Sequence, residues 1–410
     1  SCLVCRIVTF VLHKLGRGAT SMPGKVALKV KRNVLKDLSK NTKVIVVTGT
    51  NGKTTSCRIL EEGLKRAGKS YFINKSGANL ITGVTASFIM NSTITGKCKK
   101  DYAIIECDEN AFKEVSRYIH CDVILVTNVF RDQLDRYGEV THTLNAIKES
   151  VKNLPNAVVC LDADCSLTYS MSKEIPNKII TFGVNVPFDK NAKAPEISDA
   201  KYCIFCKHEY DYTYHTYGHL GGFVCKNCGY KRPVPDFAVE SVEEMKNDHS
   251  IVVANLNGDR NILKVNIGGA YNIYNAIGCA AALTALGIEQ KTVIDAIEHF
   301  NGAFGRMEHF KSGDNTINLI LVKNPAGFSQ TMNFLKSIND DFTLILSLND
   351  NAADGRDISW IWDVDFAGIF EPIEFLASSR NMTAVSFPYL FFEYSESKLV
   401  RRVRCADAIA

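Results

Sequence analysis

The chain has 410 residues, 46% hydrophobic and 22% charged, a balance that excludes an intrinsically disordered protein and supplies apolar material for two or three domain cores. Its 48 basic and 44 acidic residues leave a net charge of +4, so no global field marks it as a binder of nucleic acid or another polyanion. Partners must be argued from sites.

The first apolar run, Leu3 to Leu12, is short, contains Arg6 and leads into His13, Lys14 and Arg17 rather than a small-residue cleavage site. We read it as neither a secretion signal nor a membrane span but as a helix on the protein's own core. An interfacial helix is the alternative, because Val4, Ile7, Val8, Val11 and Leu12 share one face.

Val44 to Val47 then form an apolar strand, followed at once by Gly49, Thr50, Asn51, Gly52, Lys53, Thr54 and Thr55 and by helical spacing of Ile59, Leu60 and Leu64. This is the order of a phosphate loop. Glycines let backbone amides close around a polyphosphate, Lys53 reaches the outer phosphates, and the Thr54 hydroxyl suits magnesium. The helix N-terminus adds partial positive charge. The chain is therefore expected to bind a nucleoside triphosphate.

Alternation continues with strand Tyr71 to Ile73, helix Asn79 to Met90, strand Tyr102 to Cys107, helix Ala111 to Ile119 and strand Val123 to Thr127. Such alternation predicts a mostly parallel sheet, with functional groups at the carboxyl ends of its strands. Polar clusters at Glu106 to Glu109 and Asn128 to Asp135 follow strands directly, as the phosphate loop does. Glu106 is the preferred metal-binding carboxylate at the strand end, with Asp108 and Glu109 as alternatives.

Further strands are read at Val158 to Leu161 and Lys178 to Phe182, and an insertion from about Val186 to Asp236 interrupts the chain. It carries Cys203 and Cys206, then Cys225 and Cys228, two C-x-x-C pairs separated by eighteen residues. That is the spacing of a zinc ribbon, and four thiolates complete a tetrahedral Zn²⁺ shell without an open position, so the site should be structural. Two disulfides are the alternative. Among the other ten cysteines, Cys57, Cys107, Cys121 and Cys279 lie singly in apolar runs, a pattern that suits a reducing cytoplasm. Between the pairs lie Tyr210, Tyr212, Tyr214 and Tyr217 with His208, His215 and His219. Few arginines accompany them, so packing explains them better than nucleic-acid binding.

Strands at Ile251 to Ala254 and Leu263 to Ile267 precede helices at Asn272 to Leu286 and Lys291 to Phe300. Gly302 to Arg306 reads as a hinge into a final domain, in which strands Ile317 to Val322 and Thr343 to Leu348 flank a helix Ser329 to Ile338.

Taken together these residues resemble the Mur ligase superfamily, whose members activate a carboxylate with ATP and join it to an amine. The segments that carry the likeness are the phosphate loop, Thr127-Asn128 through Asp132-Gln133-Leu134-Asp135-Arg136, the asparagines Asn272 and Asn275, and Gly305-Arg306-Met307-Glu308. Within that superfamily the ribbon, Asn324-Pro325-Ala326-Gly327 and the run from Asn349 through Asp354-Gly355-Arg356-Asp357 to Trp360 resemble a branch of synthetase subunits that work with a separate glutaminase of the GatD type.

The resemblance implies an α/β fold: a Mur ligase-like central P-loop domain with a parallel sheet and zinc-ribbon insertion, then a smaller Rossmann-like C-terminal domain. The corresponding boundaries are an N-terminal helical segment 1–37, a central domain 38–303 with the ribbon at about 200–232, and a final domain 304–410. Beyond Phe366 the likeness stops. The implied activity is amidation of the D-glutamate α-carboxylate of the lipid II stem peptide to D-isoglutamine through an acyl phosphate, at the cytoplasmic face of the membrane. Its ammonia would come from the glutaminase in a heterodimer.

Roles implied residue by residue are Lys53 and the loop amides on the phosphates, Thr54 and Glu106 on magnesium, and Asn272 and Asn275 on adenine. Arg306 would reach the nucleotide or the transferring phosphoryl group, and Asp357 would orient the partner's catalytic histidine. Without the likeness, Asp357 would pair with Arg356 or cap Ser359 to Trp362, and Asn272 would be a helix cap. Gln133 stands where many relatives carry a metal-binding histidine, which argues against a second magnesium site. Lys148 is read as an exposed helical lysine. The competing readings are an amino-acid-adding Mur ligase or folylpolyglutamate-type synthetase, and a zinc-ribbon nucleic-acid-binding P-loop ATPase.

Overall fold

The computed structural model describes residues 21–74, 78–131, 140–188, 199–246, 248–300, 306–313, 315–322, 324–336, 386–387 and 390–391. The chain divides into two compact units. One comprises residues up to Phe130 with Val140–Glu308, the other Arg131–Glu139 with the chain from His309 onward. The expectations for Leu3 to Leu12, for Asp132 to Arg136, for the strand at Thr343 to Leu348 and for Asp357 lie outside the described residues.

The first unit is built on a nine-stranded sheet of β1 (Lys43–Thr48), β2 (Tyr71–Ile73), β3 (Tyr102–Glu106), β4 (Val123–Val126), β5 (Val158–Asp162), β6 (Ile179–Val184), β9 (Phe237–Met245), β10 (Ser250–Leu256) and β11 (Asp259–Val265). Its order is β11-β10-β9-β6-β5-β4-β1-β3-β2. From β2 to β9 every pairing is parallel, and β10 and β11 close the edge antiparallel. β1 is flanked on both sides, so Val44 to Val47 are wholly buried, the near-continuous apolar run that a two-faced parallel strand requires. β3 and β4 lie on either side of it, which brings the residues after three strands to one sheet end.

Helices start where caps allow, which shifts several predicted boundaries. The predicted helix Ala111 to Ile119 is Glu109–Val115, because the Asp108 carboxylate accepts from the amides of Asn110 (3.1 Å) and Ala111 (3.4 Å). The helix expected at Asn79 to Met90 runs Ile81–Met90, and helix Met22–Val30 packs on it. Val140–Lys152 is a helix that pattern reading did not delimit, and Lys148 on it is not an exposed lysine. Its side chain is 16% exposed and its ammonium is bonded to both Glu174 carboxylate oxygens, at 3.1 and 2.9 Å.

β9 was missed because Glu240, Glu243 and Glu244 break its apolar alternation, yet it supplies the parallel partner for β6. Between β6 and β9 the chain leaves the sheet to form the hairpin β7 (Asp211–His215) and β8 (Gly221–Val224). The hairpin is anchored on a buried polar node. Asp164 accepts from Arg232 Nε (2.6 Å), from Tyr274 Oη (2.5 Å) and from the amide of Val184 (2.8 Å). Burial, and then the Asp164 charge, push the neighbouring Asp162 well above the usual carboxylate range, and burial raises Asp164 as well, against the opposing charge of Arg232.

Further along the chain β12 (Arg306–Ser312) and β13 (Asn315–Ile320) pair, and helix Pro325–Lys336 follows. Arg306 begins β12. The helix starts before the expected Ser329 because Asn324 accepts from the amide of Gly327 (2.8 Å) and Pro325 suits the first turn. Its Phe328, Met332 and Leu335 are buried, at helical spacing along one face.

Candidate functional site

The phosphate loop turns from β1 into helix Lys53–Arg66, and its conformation is set by two glycines. Gly49 (φ 119) and Gly52 (φ 84) occupy backbone regions closed to most side chains. A β-carbon at Gly49 would lie 2.4 Å from Thr127 Oγ1, and one at Gly52 would lie 2.1 Å from Asn275 Oδ1. Both glycines are thus required by neighbours as well as by the turn.

Those neighbours hold the loop from both sides. Thr127 Oγ1 donates to the carbonyl of Asn51 (2.7 Å), while the Asn128 side chain accepts from the Asn51 amide (3.0 Å) and donates to its carbonyl (3.2 Å). The Thr50 amide donates to the Asn128 carbonyl (2.9 Å), and its hydroxyl accepts from the Phe130 amide (3.0 Å) and donates to the Phe130 carbonyl (3.1 Å). Asn275 Nδ2 donates to Asn272 Oδ1 (3.0 Å), and Asn272 Nδ2 donates to the Gly268 carbonyl (2.6 Å). Asn272 is therefore no cap; Gly269 occupies that position. Both asparagines are buried behind the loop.

Lys53 and Thr54 open the helix. Lys53 Nζ bonds the carbonyls of Gly49 and Thr50 and the Glu109 carboxylate at 2.8 Å. Burial raises the Glu109 pKa and the Lys53 charge opposes that rise. Thr54 Oγ1 donates to Glu106 Oε1 at 3.1 Å. The three carboxylates that sequence left as alternatives are thus divided: Glu106 meets Thr54, Glu109 meets Lys53, and Asp108 caps a helix.

Glu106 is itself fixed by Asn74, which sequence reasoning did not single out. Asn74 accepts from the Glu106 amide (2.8 Å) and donates to its carbonyl (2.8 Å). Its position directly after β2 was the available signal, the same logic that selected Glu106 after β3. The side chain of Arg306 lies outside the described residues.

The four predicted cysteines converge. Their sulfurs lie within 4.8 Å of one another, with Cys203 to Cys228 at 3.6 Å and Cys206 to Cys225 at 3.4 Å. Tetrahedral zinc with bonds of about 2.3 Å separates sulfurs by roughly 3.8 Å, so the donor set fits that ion. Two matching turns present the thiols: the Cys203 amide donates to His208 (2.7 Å) and the Cys225 amide to Tyr230 (2.8 Å). The residue after each second cysteine, Lys207 and Gly229, has positive φ. A hydrogen bond from the Asn227 side chain leads the effects that bring the Cys206 thiol down to about 6, toward the thiolate a metal needs. The pairs are not disulfides, and the singly placed cysteines of the apolar runs, such as Cys57, Cys107, Cys121 and Cys279, are buried thiols. Among the described residues no helix is long and apolar enough to cross a membrane.

Known proteins share this architecture. The Mur ligase middle domain family matches residues 47–229. Among solved structures, a pseudomurein peptide ligase type C from Methanothermus fervidus superimposes with a TM-score of 0.57 at 25% identity, over 71% of this chain and 56% of that one. MurF from Acinetobacter baumannii gives a TM-score of 0.61 at 17% identity, over 82% and 63%, a likeness of fold alone. The chain thus spans less than two thirds of those solved chains. Fold and phosphate loop together define a protein of the Mur ligase class.

A second family, MurT ligase C-terminal, matches residues 321–386, so the likeness runs on past Phe366, where reading the sequence alone had it stop. The lipid II isoglutaminyl synthase (glutamine-hydrolyzing) subunit MurT of Streptococcus pneumoniae is 38% identical over 360 residues, 88% of this chain and 78% of that protein. The subunit of the same name from Staphylococcus aureus strain N315 is 33% identical, over 86% and 78%. The chain belongs to the MurT family.

Proposed function

We propose that this protein is the synthetase subunit of a glutamine-dependent ligase that amidates the D-glutamate α-carboxylate of the lipid II stem peptide at the cytoplasmic membrane face. The observation that carries this reading is the pairing of Lys53 with Glu109 and of Thr54 with Glu106 beyond the carboxyl ends of β1 and β3 in a chain of this family. A carboxylate oxygen attacks the γ-phosphorus of ATP and ADP leaves. Ammonia then attacks the acyl carbon, a proton is lost and phosphate departs with the C–O bond.

Glu109 and the loop carbonyls hold the Lys53 ammonium beside the loop, and from there it would turn to the phosphates. Thr54 and Glu106 are the residues that would hold magnesium, which supplies neutralisation of phosphate charge. The four cysteines would hold zinc, with a structural role. Ammonium has no lone pair, so delivery of ammonia by a GatD-like glutaminase partner is part of the proposal. Asp357 is assigned to that partner's histidine, and Arg306 to the nucleotide or the transferring phosphoryl group.

The test is amide formation on lipid II by the chain with its glutaminase. Asp357→Asn should abolish glutamine-dependent turnover and spare ammonium-dependent turnover. Equal loss of both, or turnover with a free amino acid as the nucleophile, would contradict the assignment.

A further inference from the structure

We infer that the cysteine-bearing hairpin is a brace for the phosphate loop, and that Phe130 is the positioning residue through which it acts. The inference rests on the nucleotide site proposed above but makes a structural claim of its own.

The four cysteines fix the base of the β7–β8 hairpin, and its tip, from Thr216 to Leu220, is closed by bonds from the Thr216 amide to Leu220 (3.0 Å) and from the Leu220 amide to Tyr217 (3.0 Å). That tip does not face solvent. The Tyr217 ring stacks on Phe130 with centroids 5.7 Å apart and planes within 12°, and the His219 ring lies 4.5 Å from the same phenyl. Between them Gly218 (φ 53) lets the phenyl edge approach so closely that a β-carbon there would sit 2.7 Å from it. Phe130 is buried, enclosed by a loop that belongs to the insertion rather than to the sheet.

The backbone of that same Phe130 holds Thr50 of the phosphate loop by both its amide and its carbonyl. A second contact runs in parallel. Thr216 Oγ1 meets Tyr274 Oη at 2.7 Å, and Tyr217 packs edge to face on Tyr274 at 5.5 Å. Tyr274 stands on the helix whose Asn275 lies against Gly52. The hairpin tip therefore touches both supports of the loop, one behind Thr50 and one behind Gly52. A free-standing metal module would need neither contact. Loosening the tip releases two constraints on a loop that must be preorganised to bind phosphate.

The experiment uses the full chain with Tyr217→Ala, Tyr217→Phe and Phe130→Leu. Val252→Ala, at a buried β10 position among strands outside these contacts, is the control for lost stability. Amide hydrogen exchange of peptides spanning 49–56 is read without nucleotide, and MgATP affinity is read by calorimetry. Tyr217→Ala and Phe130→Leu should speed exchange across 49–56 and weaken MgATP by about tenfold, the effect of roughly 1.4 kcal/mol. Tyr217→Phe, which keeps the ring, should behave as the native chain, and Val252→Ala should leave both readouts unchanged at temperatures where it is folded. Exchange in Tyr217→Ala equal to native, or an equal acceleration in Val252→Ala, would overturn the inference. Failure of the native chain to bind MgATP would instead overturn the proposed function, with the exchange comparison still deciding the brace.

Discussion

Replacing Gly52 by alanine should disable nucleotide binding for reasons that can be counted. The left-handed backbone costs an L-residue about 1–2 kcal/mol. The new methyl would stand 2.1 Å from Asn275 Oδ1, where ordinary nonbonded contact is about 3.5 Å, so the buried asparagine must retreat by more than about 1 Å. Retreat breaks its 3.0 Å bond to Asn272 and leaves a buried amide short of a partner, for a further cost of about 1–3 kcal/mol. The free loop can relax but the phosphate-bound loop cannot, so the sum, about 2–5 kcal/mol, falls on affinity. MgATP binding by calorimetry should weaken between about thirtyfold and several thousandfold. In an Asn275→Ala background the collision is absent, so Gly52→Ala should there cost only the backbone part, measured against Asn275→Ala alone. A single variant within about threefold of native, or a Gly52→Ala effect as large in the Asn275→Ala background as in the native chain, would refute this reasoning.

Burial holds His219 at about 4, below the ordinary imidazole value, so the native state keeps it neutral while the unfolded chain takes up a proton below about 6.5. Stability should therefore be whole above that pH and fall by about 3 kcal/mol as the pH drops toward 4, and denaturant titrations of His219→Gln should show a shallower loss. Glu106→Gln should raise the magnesium concentration needed for half-maximal turnover while leaving the melting temperature near native, since Glu106 is held by Asn74 through its backbone. Purified chain should carry a single equivalent of zinc by elemental analysis. Cys225→Ser should lose that metal and, with it, protection of the β7–β8 amides from exchange; retained protection would mean that the hairpin folds without the ion.

Much of this protein is legible in its residues one after another. The loop from Gly49 to Thr55 and the two cysteine pairs are read directly because their chemistry depends on short-range spacing: backbone amides around phosphate, and thiols at the two ends of one turn. The order of strands and helices is legible for a similar reason, since buried parallel strands write continuous apolar runs. β9 was missed because its glutamates hide that pattern, although pairing with β6 fixes it in the sheet.

What only the tertiary structure decided is how equivalent polar residues divide their work. Sequence position favours Glu106 at the strand end but leaves the roles of Asp108 and Glu109 open, yet one of the three meets Thr54, one caps a helix and one pairs with Lys53, because each points from a different turn of chain. Asn272 and Asn275 lie far along the sequence from Gly52 but stand behind it in space, and Tyr217 reaches Phe130 from an insertion that sequence treats as a separate module. Spacing along the chain records local geometry; contacts between distant segments arise only when the sheet brings its strand ends together.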